Sequence, residues 1–147
     1  MLAAGGSRSL SVMTRRFSVL LVEDDAPLRS CLSELISAWG WSVYPTASGP
    51  EAIELARQIQ IDFSLLDLHL PGMTGIEVLR QIRREVRPLP SIMMSGQASP
   101  EEAHAALSAG VFQFLRKPLD LDNLREAMQT LIRHHFEAPP GSPPPRR

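Results

Sequence analysis

Between residues 18 and 135, five short β-type runs alternate with five segments of helical periodicity. The strand runs lie at about Ser18–Val22, Ser42–Thr46, Phe63–Asp67, Ser91–Ser95 and 112–116. Strand and helix in strict alternation, joined by short loops, call for a parallel sheet covered on both faces. Right-handed crossovers then narrow the topology to a doubly wound sheet. In such sheets ligands bind beyond the carboxyl ends of the strands, where the strand order reverses. The first helix carries a stripe of Leu28, Cys31, Leu32, Leu35, Ile36 and Trp39 and is stopped by Gly40. The last carries Leu121, Leu124, Met128, Leu131 and His135. Three helix starts read as capping boxes: Ser48 with Glu51, Thr74 with Glu77, and Ser99 with Glu102.

The polar residues fall at one edge of this frame. Glu23, Asp24 and Asp25 follow the first strand, Asp67 ends the third, Ser95 ends the fourth, and Lys117 follows the fifth. All are strand carboxyl ends. Several carboxylates in one crevice repel, by on the order of 4 kcal/mol for two unit charges near 4 Å at an effective dielectric of about 20. Such a crevice holds a proton or a cation. Oxygen ligands without a His or Cys cluster favour a hard cation, and a phosphate-handling site favours Mg²⁺. Lys117 is unusual in another way. Of 15 basic residues it is the only lysine, in a chain that otherwise uses arginine. A compact point charge and a planar fork are not interchangeable.

Four segments carry a resemblance to the receiver domain of bacterial response regulators, over about residues 17–136. They are Val-Leu-Leu-Val-Glu-Asp-Asp at 19–25, Asp-Leu-His-Leu-Pro-Gly-Met-Thr-Gly at 67–75, Met-Ser-Gly at 94–96 and Phe-Leu-Arg-Lys-Pro at 114–118. Each alone is a weak signal; four in order, each at a strand end, are a specific one. The resemblance implies an α/β fold, a flavodoxin-like (βα)5 receiver with a five-stranded parallel sheet of order 2-1-3-4-5. It also implies that Asp67 is the phosphoacceptor, attacking phosphorus to give an acyl phosphate. Asp24 and Asp67 would ligate Mg²⁺ directly, Glu23 through water, and His69 through its backbone carbonyl. Lys117 and the Ser95 hydroxyl would meet phosphoryl oxygens, with small Gly96 leaving access for the donor. Pro118 would shape the turn that aims Lys117 inward, with a cis peptide before it. Phe114, where the family more often has Tyr, would pair with Ser95 in a switch read out on the fourth helix, fifth strand and fifth helix.

The implied partners are a sensor histidine kinase or histidine phosphotransfer protein and an output partner protein or fused output domain. A homodimer through the readout face is a further possibility. The simpler readings are these. Asp25 is the N-cap of the first helix. Ser95 has the simpler reading of a strand-end hydroxyl, and Phe114 packs in the core in one rotamer in any case. His134 and His135 complement a helix C-terminus, and His104 has no assigned role.

Two other functional classes fit less well. Phosphatases with an Asp nucleophile at a strand end need a second Asp two residues on, and His69 stands there. A P-loop is absent. A phosphorylation-independent interaction module stays as the alternative, although such a module is expected to have lost an acid, the acceptor or the lysine. Net charge of −1 and no basic block give nucleic-acid binding no electrostatic footing. The single cysteine, Cys31, allows no disulfide framework, which suits the cytoplasm. No apolar run approaches the roughly 20 residues a membrane helix needs. Residues 1–15 are expected to be disordered, 16–137 to form the receiver, and 138–147 to be a Pro-rich tail or linker. Met13 is a candidate start. A stand-alone receiver and a fragment of a longer regulator are both open, the fifth strand and the Ser-Gly-Gln loop leaning toward FixJ-type or NtrC-type regulators.

Overall fold

The computed structural model describes residues 16–137, so the expectations for residues 1–15 and 138–147 lie outside the described residues. Five strands and five helices alternate: β1 Ser18–Val22, α1 Ala26–Ala38, β2 Ser42–Thr46, α2 Gly49–Gln58, β3 Phe63–Asp67, α3 Gly75–Glu85, β4 Ser91–Ser95, α4 Pro100–Ser108, β5 Gln113–Arg116 and α5 Leu121–Phe136. All pairings are parallel, in the order β2-β1-β3-β4-β5. This is the doubly wound order expected from the sequence. The fifth strand starts one residue later than its apolar run, a difference within the ordinary uncertainty of an element end.

Burial explains why the strands read as they do. β3 and β4 are buried at every position, which suits near-continuous apolar runs in a sheet covered on both faces. The two serines inside them, Ser64 and Ser91, are neighbours in register and hydrogen-bond to each other at 2.9 Å. Their hydroxyls are thereby satisfied within the core. Edge strand β2 is only partly buried and tolerates Pro45, which would cost a ladder bond in the centre. One face of the sheet packs Leu20, Val22, Leu66 and Met93 against Ile53 of α2 and Val78, Leu79 and Ile82 of α3. The other packs Val19, Leu21, Leu65 and Met94 against Leu32 and Ile36 of α1 and Leu124, Met128 and Leu131 of α5. Each such side chain, fully buried, contributes about 1.5–3 kcal/mol.

Two local expectations need correction. The α1 stripe is narrower than its periodicity suggested: Leu32 and Ile36 are buried, but Cys31 is exposed. Successive residues are about 100° apart around a helix, so an arc centred between Leu32 and Ile36 leaves Cys31 outside it. Second, only two of the three capping boxes close, at Thr74–Glu77 and Ser99–Glu102. Ser48 accepts the Glu51 N–H at 3.4 Å, but the Glu51 carboxylate takes the N–H of Ala47 instead. Asp25 caps α1 as expected, accepting from Leu28 N–H at 2.9 Å. Trp39 forms the C-cap of α1, and Gly40, at φ 104°, turns the chain away.

Candidate functional site

Parallel pairing aligns the carboxyl ends of β1, β3, β4 and β5, and the polar residues predicted from sequence converge there. Asp67 is the last residue of β3 and is buried, with only 5% of its surface exposed. Both of its oxygens are engaged. Oδ1 accepts the backbone N–H of His69 at 2.9 Å, and Oδ2 accepts from Lys117 Nζ at 2.7 Å. Lys117 also donates to Glu23 Oε1 at 2.5 Å, so one ammonium lies between two acids from different strands. Glu23, 1% exposed, receives the Asp25 N–H on its other oxygen at 3.1 Å. Asp24 is exposed beside them, and one carboxylate oxygen each from Glu23, Asp24 and Asp67 lie within 4.8 Å of one another.

The electrostatics show a pocket short of positive charge. Burial pushes the Glu23 carboxyl above its ordinary value. The Lys117 and Asp25 hydrogen bonds oppose that rise, while the charge of Asp67 adds to it. For Lys117, burial alone would lower the value, but its hydrogen bonds to Asp67 and Glu23 and their charges outweigh it and push it up. The lysine therefore stays an ammonium. Three oxygen donors, one of them an acid held up by its surroundings, are a set that a hard divalent cation fits.

The remaining predicted residues arrange themselves around this pair. Ser95 ends β4, buried, and its carbonyl accepts the Lys117 N–H at 2.9 Å, tying the lysine to the neighbouring strand. The Lys117–Pro118 peptide is cis. A Cβ on Gly96 would meet Lys117 Cβ at 3.7 Å, an ordinary contact, so nothing within the protein requires glycine there. Phe114 is half-buried, packed on the α2–α3 side of the core, with the Arg116 guanidinium 5.7 Å from its ring.

Two contacts were not foreseen from the sequence. Arg29, in the first turns of α1, donates to the carbonyl of Glu23 at 2.8 Å and reaches that of Asp24 at 3.4 Å, bracing the acidic loop. The His69 imidazole contacts Ser95 Oγ at 3.1 Å and Glu102 Oε2 at 2.8 Å. Only the Glu102 cap was visible in sequence; the bridge joins the β3–α3 loop, the end of β4 and the first turn of α4.

The model of the response regulator receiver domain matches residues 19–129. The chain belongs to this family. Among relatives of this receiver, the transcriptional regulatory protein ZraR of Escherichia coli K12 is 34% identical over 79% of the chain and 26% of its own length. The cell cycle response regulator CtrA of Brucella ovis is 34% identical over 78% of the chain and 50% of its own length. The receiver thus spans about a quarter to a half of the curated relatives it matches. Among solved structures, the receiver domain of a LuxO repressor protein from Vibrio parahaemolyticus superposes with a TM-score of 0.76 at 27% identity, covering 81% of this chain and 92% of that one. The FixJ N-terminal structure gives 0.74 at 27% identity, covering 82% and 96%. Among the described residues no helix is long and apolar enough to cross a membrane.

Proposed function

We propose that this receiver accepts a phosphoryl group on Asp67 from a phosphorylated histidine of a sensor kinase or phosphotransfer protein, with Mg²⁺ bound. The observation that carries the reading is the Asp67 carboxylate itself: nearly buried, fixed by the His69 N–H, and facing an ammonium among acids. In the transfer, a carboxylate oxygen of Asp67 forms a bond to phosphorus as the bond from phosphorus to the donor imidazole breaks. Asp24 and Asp67 would hold the metal, with Glu23 through water and the His69 carbonyl completing its set. When bound, Mg²⁺ would supply positive charge that offsets the charge developing on the phosphoryl group. Lys117 moves its charge from Asp67 and Glu23 toward a phosphoryl oxygen, and the Ser95 hydroxyl donates to another. Gly96 leaves the approach open to the donor.

Phosphorylation then biases a two-state equilibrium in which Ser95 moves and Phe114 fills the space behind it. The α4–β5–α5 face carries the output to a partner protein or fused output domain, and the same face would serve a homodimer. The reading is a cytoplasmic signalling switch whose chemistry is confined to its own acyl phosphate.

Incubation with acetyl phosphate and Mg²⁺ should add one phosphoryl group to the intact mass, lost on chelation and in Asp67→Asn. An unmodified wild-type mass would sink the proposal. Lys117→Arg should fold but show only weak shifts of α4–β5–α5 amides on adding beryllofluoride, because the forked guanidinium is longer and cannot relocate as a point charge. Full wild-type shifts would defeat that account of the lone lysine.

A further inference from the structure

We propose that His69 and Glu102 form a tether that holds the Ser95 hydroxyl, and with it the start of α4, in the resting arrangement, and that Ser95 must leave this tether to engage a phosphoryl group. The inference rests on the phosphoacceptor reading of Asp67 and adds the element that opposes switching.

Hydrogen-bond direction carries the argument. Glu102 caps α4 with one oxygen, Oε1 accepting the Ser99 N–H at 3.0 Å, while Oε2 meets His69 Nε2 at 2.8 Å. An ionised carboxylate only accepts, so in the neutral imidazole Nε2 carries the proton and Nδ1 is left as an acceptor. The group opposite Nδ1 is Ser95 Oγ at 3.1 Å, which in that tautomer donates its single proton to His69. Its oxygen meanwhile accepts the Gln97 N–H at 3.2 Å. In that tautomer the hydroxyl's only donor is committed to the imidazole and unavailable to an acyl phosphate on Asp67.

The same bonds close a ring. Ser95, His69, Glu102 and Ser99 link the end of β4 to the first turn of α4 through a residue of the β3–α3 loop. When Ser95 turns its proton toward a phosphoryl oxygen, Nδ1 loses its donor and the ring opens at one point. Glu102 then keeps its cap but loses the anchored imidazole that fixed it, and the N-terminus of α4 is freed to shift. His69 and Glu102 are positioning residues here, acting through Ser95.

Two variants separate this tether from simple support of the fold. His69→Ala deletes the bridge. Glu102→Gln keeps the shape and the cap, since its amide oxygen still accepts from Ser99, but presents an N–H to Nε2. The imidazole then takes the other tautomer, Nδ1 becomes a donor, and Ser95 accepts instead of donating. Both variants should bind beryllofluoride with Mg²⁺ about tenfold more tightly than wild type, the size of one net hydrogen bond, followed by amide shifts of residues 95–107. Without any ligand, His69→Ala should show faster amide exchange in the first turn of α4. Unchanged affinity in both variants, or unchanged exchange in His69→Ala, overturns the tether while leaving the phosphoacceptor reading in place. A wild-type protein whose amides do not respond to beryllofluoride overturns that reading and the tether with it.

Discussion

Replacing Lys117 by Met should cost about 3 kcal/mol of stability at neutral pH without Mg²⁺, because it leaves two nearly buried acids facing one another without their shared cation. The side chains of Glu23 and Asp67 are 1% and 7% exposed, so water offers them little compensation. The cost has a defined pH dependence. Burial already raises the Glu23 carboxyl above its ordinary 4.5, and removing Lys117 deletes two of the influences that hold it down. A carboxyl whose value is raised by folding favours the folded state while protonated and disfavours it once ionised. The deficit of Lys117→Met should therefore be small below pH 4.5 and grow as pH rises through the folded-state value. Mg²⁺ should restore part of it, since an ion bound only by the folded form stabilises by mass action. Urea unfolding at several pH values, with and without Mg²⁺, reads both effects. Equal midpoints for variant and wild type at neutral pH would show that the lysine does not hold the acids together.

Much of this site was legible in the sequence because a parallel sheet makes a local property global. Once β1, β3, β4 and β5 are placed, their carboxyl ends must share an edge, so Glu23, Asp24, Asp67, Ser95 and Lys117 are brought together by topology alone. Strand limits followed from the same alternation, to within a residue. What escaped was of two kinds. Rotational detail on a helix is set by what the helix packs against, and so Cys31 was placed on a face it does not share. Side-chain contacts between loops depend on rotamers chosen after the fold forms. Arg29 reads as one arginine among 14, and only its position beside the acidic loop reveals the carbonyls it serves. The sequence around His69 points to its backbone carbonyl and away from a phosphatase acid, while its ring makes contacts no local pattern encodes.

Gly75→Ala should disable Asp67, the proposed phosphoacceptor, without altering any polar side chain of the site. Gly75 opens α3 and donates its N–H to the carbonyl of Leu68 at 2.7 Å, folding the β3–α3 loop tightly back on the strand end. A Cβ there would collide with the carbonyl oxygen of Asp67 and lie 2.8 Å from Met93 Sδ. The sulfur sits on a flexible side chain and can give way. The carbonyl cannot, because it belongs to a buried central strand paired on both sides. The methyl group must therefore push the backbone of Asp67 itself. Overpacking of this kind should destabilise by on the order of 3 kcal/mol. A displacement near 1 Å at the reacting group should slow phosphorylation by acetyl phosphate about a hundredfold. Gly72 supplies the contrast in the same loop. It adopts φ 77° with open space where a Cβ would stand, so Gly72→Ala is strained in its own backbone but presses on nothing. That variant should lose about 1 kcal/mol and keep a phosphorylation rate near wild type. Thermal unfolding and intact-mass time courses on the two variants distinguish pressure on Asp67 from general loosening of the loop: if both lose rate equally, the close approach of Gly75 is not what sets the position of the acceptor.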